Sequence, residues 1–191
     1  MAVRHYFLGA NTAQGFYSLY HEFCAPDSGN FLWVIKGGPG CGKSTFMRRI
    51  GKAAEDAGLD VEYALCSADV DSLDAVLIPG WHVGYVDGTA PHVTEVAFPA
   101  ASGAYLDLGQ FYDVEALRPK LPEMQSLVAR YRALYDTAYD ALRQAKALHD
   151  ELEQIYHPYV DFGSVTALAQ AHIKMLKAEK MHCIRTQNVV K

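Results

Sequence analysis

Residues 37 to 45 read Gly-Gly-Pro-Gly-Cys-Gly-Lys-Ser-Thr and satisfy every fixed position of the phosphate-binding loop pattern G-x-x-x-x-G-K-[ST]. A loop that wraps a triphosphate turns several backbone N–H groups inward, and glycine reaches the required positive φ values without steric cost. Gly37, Gly38, Gly40 and Gly42 supply that freedom, and Pro39, Cys41 and Thr45 complete the cradle. Lys43 is expected to set a compact cation between the β- and γ-phosphates. Ser44 is expected to offer its hydroxyl to Mg²⁺, and the following helix its positive N-terminal end. The implied ligand is a nucleoside triphosphate. A loop that keeps its shape without binding is the alternative, and the intact Lys43-Ser44 pair argues against it. Cys41 reads either as a small loop residue or as a thiol that nearby N–H dipoles and Lys43 could ionise.

A P-loop site needs a second acid near the metal. Asp87, at the end of the apolar run His82-Val-Gly-Tyr-Val-Asp87, suits that role, although Asp-Gly is also a common turn pair. In Asp87-Gly-Thr-Ala-Pro-His92, Thr89 and His92 would then face the γ-phosphate as sensors of phosphate or orienters of water, with a structural histidine the plain alternative for His92. Many ATPases carry a glutamate directly after this aspartate to activate water. Here Gly88 follows, which argues against fast autonomous hydrolysis, and Glu95 lies too far along the chain for spacing alone to make it the base. A second acidic group, Asp69 and Asp71 in Cys66-Ser-Ala-Asp-Val-Asp-Ser-Leu-Asp74, could orient an acceptor hydroxyl for phosphoryl transfer or cap a short helix at residues 72–76. Arg118 could meet charge on the γ-phosphoryl group, or belong to a solvated face.

These residues need a scaffold. Phe31–Lys36 is a short apolar run suited to a buried parallel strand, and residues 44–57 read as a helix, giving strand, glycine loop and helix in the required order. Residues 4–9, 61–66 and 82–87 read as further strands, and residues 14–23 as a short amphipathic helix. Alternating strands and helices point to a parallel sheet with its ligand at the carboxyl ends of the strands. After Asp113, apolar residues recur at Leu121, Met124, Val128, Tyr131, Tyr135, Ala138, Leu142 and Ala145 in steps of three and four, the seam of a helix about 35 residues and 50 Å long. His157-Pro158 should end it. A second amphipathic stretch carrying Val165, Leu168, His172, Met175, Leu176 and Glu179 should fold back as a hairpin, and tyrosines Tyr131, Tyr135 and Tyr139 read as packing groups. The expected fold is α/β, a P-loop NTPase-like and mostly parallel sheet flanked by helices with a long C-terminal helical hairpin. The expected organisation is a nucleotide-binding domain at 1–112 and a helical appendage at 113–191. Only about four strands are legible, so the sheet is expected to be completed by a second half of a longer protein or by a partner subunit.

Composition narrows the partners. Half of the 191 residues are hydrophobic and a fifth charged, with a net charge of -5, which gives no electrostatic case for nucleic acid or an anionic membrane. The four cysteines are scattered without a CxxC pair, and no secretory signal or run of about 18 apolar residues is present, so a reducing cytoplasm is the expected setting.

Taken together, His5-Tyr-Phe-Leu-Gly-Ala-Asn-Thr12, Lys36 to Thr45, Asp71-Ser-Leu-Asp74 and Val86-Asp-Gly-Thr-Ala-Pro-His92 resemble a poorly characterised family of bacterial P-loop ATP-binding proteins. The resemblance runs over most of the chain. It implies ATP as the nucleotide and a tandem arrangement of two P-loop halves, of which this chain resembles the first. The expected activity is slow or partner-stimulated, Mg²⁺-dependent ATP hydrolysis coupled to a conformational change. The alternatives are a small-molecule or nucleoside kinase using Asp69 or Asp71, and a nucleotide-gated scaffold without turnover. No guanine-reading Asn-Lys-x-Asp occurs, and the residues themselves do not separate ATP from GTP.

Overall fold

The apolar run Phe31–Lys36 is a strand, and it runs inside a sheet. The computed structural model describes residues 1–90 and 93–187. Its strands are β1 (Val3–Phe7), β2 (Gly9–Thr12), β3 (Gly15–Ser18), β4 (Phe31–Lys36), β5 (Val61–Leu65), β6 (Leu73–Ile78), β7 (Val83–Asp87) and β8 (Gly103–Asp107). The helices are α1 (Lys43–Asp56), α2 (Val114–Leu117), α3 (Leu121–Tyr156) and α4 (Phe162–Gln187). Among the described residues, six strands make the main sheet in the order β1-β5-β6-β7-β4-β8, and β2 and β3 pair separately as an antiparallel ribbon. Strands β1 and β5, β4 and β7, and β4 and β8 pair in parallel. Strand β6 alone runs against its neighbours β5 and β7. The architecture is therefore α/β with a mostly parallel sheet.

Two strands correct the sequence reading. Strand β6 occupies residues where a capped short helix was one expectation, and its side chains are nearly all buried between β5 and β7. Strand β8 pairs with β4 at the sheet edge. With both present, six strands replace the four anticipated, and the shortage that called for completion from outside disappears. The short connection from β5 to β6 explains the one reversed strand, since a parallel return needs a crossover of a dozen residues or more. Residues 14–23 are also not a helix: Gly15, at φ +105, opens β3, and a 3-10 turn covers Tyr20–Glu22.

Alternation along the strands divides the core between two faces. Ile35, Val61, Tyr63, Val76 and Ile78 meet α1 through Met47 and Ala54. Val34, Ala64, Ala75 and Val86 meet Tyr20, Phe23 and Cys24 from the 3-10 segment, joined by Val96. Helix α1 buries Lys43, Met47, Gly51 and Ala54 along one stripe. Gly51 lets it approach β5, because a Cβ there would lie 2.3 Å from the Tyr63 hydroxyl. The helix ends at Asp56 and is closed by Gly58, φ +77, with Leu59 N–H donating to Ala54 O and Gly58 N–H to Glu55 O, the glycine-closed C-terminus expected where a left-handed residue follows a helix.

The chain divides into two compact units, Met1–Gln144 and Ala145–Lys191. In the first, the N-terminal part of α3 is tied to the ribbon, as the Tyr139 hydroxyl donates to Asn11 Oδ1 at 2.8 Å. Tyr131, Tyr135 and Tyr139 form a ladder with centroids 6.4 and 6.2 Å apart. In the second unit, α3 ends at Tyr156 before the His157-Pro158 turn, and α4 follows. Leu148, Leu152 and Ile155 on α3 and Val165, Leu168, Met175 and Leu176 on α4 are all exposed. The apolar seams that a packed hairpin would bury are thus open on both helices.

Candidate nucleotide site

Strand β4 ends at Lys36 and releases the chain into the glycine loop. Gly37, Gly40 and Gly42 take φ values of +150, +75 and +91, a region that penalises a Cβ. Gly38 does not, which corrects the expectation that all four glycines serve the same purpose. Its missing side chain instead admits Tyr112, whose hydroxyl would lie 2.9 Å from a Cβ at that position. The Tyr112 hydroxyl is held above the ordinary phenol range by desolvation first and by the neighbouring Cys41 thiol next. Gly42 precedes α1 without a side-chain cap, so the first-turn N–H groups have no side-chain acceptor there.

Lys43 is buried, 8 % exposed. Its ammonium group donates to Gly37 O at 2.8 Å and Gly38 O at 3.1 Å and stands 3.5 Å from Asp87 Oδ2. A buried ammonium persists only when charged or polar partners replace water, and the loop carbonyls with Asp87 supply them. Asp87 arrives on β7, hydrogen-bonded beside β4 with Ile35 opposite Asp87. Its other oxygen, Oδ1, accepts from Thr89 N–H at 2.9 Å and from the Thr89 hydroxyl at 2.5 Å. Thr89 therefore orients Asp87. Ser44 Oγ accepts from Leu73 N–H at 2.9 Å, which fixes the start of α1 to β6 and leaves the hydroxyl proton and a second lone pair for another partner. Gly40, Cys41, Gly42, Lys43, Ser44, Thr45, Ser72, Leu73 and Asp87 line one cavity of about 270 Å³, so the loop, the lysine, the hydroxyl and the distant acid are brought together. Pro39 is exposed and does not line the cavity.

The other acidic residues stand apart. Asp69 Oδ1 accepts from Asp71 N–H at 3.1 Å, and Arg48 of α1 donates to Asp71 O. Both aspartates are exposed in the β5–β6 turn, and neither lines the cavity. Glu95 is held by Lys36 at 2.7 Å and by the Tyr105 hydroxyl at 2.6 Å, and these bonds, Lys36 first, keep its carboxyl below the usual carboxylate range. His92 lies outside the described residues. Arg118 sits in an exposed 3-10 turn between α2 and α3. His149, Asp150 and Glu153 cluster on exposed α3, where Lys146 pairs with Asp150 and His149 with Glu153, ordinary i,i+4 partners of a helix surface.

Besides Tyr112, the roles of Lys36 and Asp74 were not legible in advance. Lys36 donates to Gly88 O at 3.0 Å and Thr94 O at 3.2 Å as well as to Glu95, so it moors the segment that follows Asp87. A Cβ on Gly88 would lie 2.3 Å from Val34 Cγ1 and 3.1 Å from Lys36 Nζ; packing therefore opposes a side chain at this position, directly after Asp87. Asp74, 5 % exposed, accepts from the Tyr20 hydroxyl at 2.9 Å. A charged residue inside an otherwise apolar strand was the available signal for it. No family model matches the chain, and comparison with curated proteins and with solved structures gave no match. No helix among the described residues is long and apolar enough to cross a membrane.

Proposed function

We propose that this chain is a P-loop nucleotide-binding protein that binds ATP with Mg²⁺ and hydrolyses it slowly, or when a partner stimulates it, with the nucleotide state changing the conformation of the loop and its surroundings. One observation carries the reading: a buried lysine at the mouth of a left-handed glycine loop, 3.5 Å from an acid on the adjacent parallel strand. The residues fit the expected ligand. Lys43 exchanges the Gly37 and Gly38 carbonyls for phosphate oxygens, the α1 N–H groups meet the remaining phosphate charge, and Ser44 with Asp87 Oδ2 holds the metal. A bound Mg²⁺, held by Ser44 and Asp87, would supply charge neutralisation to the phosphates. Slow turnover follows from Gly88, where no glutamate side chain fits, and from Glu95, which is engaged by Lys36 and Tyr105. The Lys43 bonds to the Gly37 and Gly38 carbonyls are the contacts a bound nucleotide would reorganise. A second P-loop half or a second copy of the chain is the partner expected to raise turnover.

Removing the metal tests this reading. Calorimetric titration with ATP should show binding in Mg²⁺ and a loss of at least about tenfold in EDTA, with little ADP released on the same sample. Equal affinity in both buffers would contradict the metal role of Ser44 and Asp87, and rapid unassisted ADP release would contradict slow turnover.

A further inference from the structure

Strands β7 and β8 flank β4 on its two sides, placing Asp87 opposite Ile35 and Asp107 opposite Lys36. The glycine loop thus leaves β4 between two different borders. Lys43 and Asp87 mark the β7 border as the end that holds the terminal phosphate and metal. A triphosphate laid along the loop then carries its nucleoside toward the β8 border.

That border is built up against the loop. The chain leaving β8 makes a 3-10 turn at Leu108–Phe111. A Cβ on Gly37 would stand 3.4 Å from Leu108 Cβ and 3.6 Å from Gly109 N, so the turn lies directly on the first loop glycine, and Tyr112 lies on the second. The turn is braced from within: Gly109 N–H donates to Asp107 Oδ1 at 2.7 Å, Gln110 Nε2 to Asp107 O at 2.7 Å, and Tyr112 N–H to Gly109 O at 3.1 Å. On this fixed support Phe111 is 77 % exposed. With the backbone of the turn braced next to the glycine loop, little loop freedom remains to be lost when the exposed ring meets a ligand.

We infer that the Leu108–Tyr112 turn is the nucleoside platform of the P-loop site, with Phe111 stacking on the base; this rests on the nucleotide reading above. Stacking accepts any base with a π-face, and larger purines gain most from it. Alanine substitution of a stacking aromatic reduces affinity by about tenfold or more.

The test uses the full chain, with MgATP and Mg-tripolyphosphate as paired probes of base and phosphate binding. Wild type is expected to prefer MgATP. Phe111→Ala should weaken MgATP about tenfold or more and leave Mg-tripolyphosphate unchanged, and Phe111→Tyr should restore MgATP binding. Unchanged MgATP affinity in Phe111→Ala, or an equal loss of both probes, would overturn the platform. Wild type that binds tripolyphosphate as tightly as ATP would overturn the platform while leaving the phosphate site standing. Wild type that binds neither would overturn the nucleotide reading and the platform with it.

Discussion

Under the proposed nucleotide reading, single side chains set whether the loop binds and how fast it turns over. Gly88 carries the argument for slow turnover, because Val34 Cγ1 would stand 2.3 Å from any Cβ placed there. Gly88→Ala should therefore destabilise the fold by about 1–3 kcal/mol through overpacking, read as a lowered thermal midpoint. An unchanged midpoint would show that position 88 is open and remove the steric argument against a glutamate. Asp74 is a second such position. Its buried carboxylate accepts from Tyr20, and burial first, with Asp74 beside it, pushes the Tyr20 phenol well up. Tyr20→Phe removes that bond and should cost about 1–3 kcal/mol, measured by urea unfolding; a loss under about 0.5 kcal/mol would mean that the bond contributes little. At this scale the sequence was most informative where chemistry is local. Nine consecutive residues spelled the loop and its lysine, and the acid at the end of an apolar strand reached the same cavity. Tyr112 and Lys36 were not legible, since Tyr112 meets Gly38, and Lys36 meets Gly88, Thr94 and Glu95, only once the chain is folded.

Among the elements, four strands of the main sheet, β1, β4, β5 and β7, were legible, and β6 and β8 were not. Phe31–Lys36 and residues 83–87 announced themselves. Strand β6 hid behind an acidic stretch and its own Asp74, and β8, Gly-Ala-Tyr-Leu-Asp, has too little apolar pattern to stand out before β4 is there to pair with it. The second face of the sheet is covered by a 3-10 segment, and that cover has a titration signature. Burial, then Glu62, pushes the Cys24 thiol up to about 12. A thiol raised in the folded state contributes stability that is complete below its unfolded value of about 8.5 and is lost as pH rises toward 12. Stability should thus begin to fall above about pH 8.5, before tyrosines titrate near 10, and Cys24→Ala should flatten the slope between those values. An identical slope in the variant would place the alkaline sensitivity elsewhere.

For the whole molecule, the sheet is complete enough within the described residues to present a loop, a cation and an acid without borrowing a strand. The expectation of a second half now rests on the sequence resemblance alone, while apolar residues such as Leu152 on α3 and Leu168 on α4 stand exposed. The most direct measurement is calorimetric titration of the full chain and its Lys43→Ala variant with MgATP, with circular dichroism on both. A saturable wild-type isotherm, lost by at least about a hundredfold in a variant that keeps its spectrum, is the predicted result. A folded Lys43→Ala variant that binds MgATP as tightly as wild type would contradict the assignment of this loop as the nucleotide site.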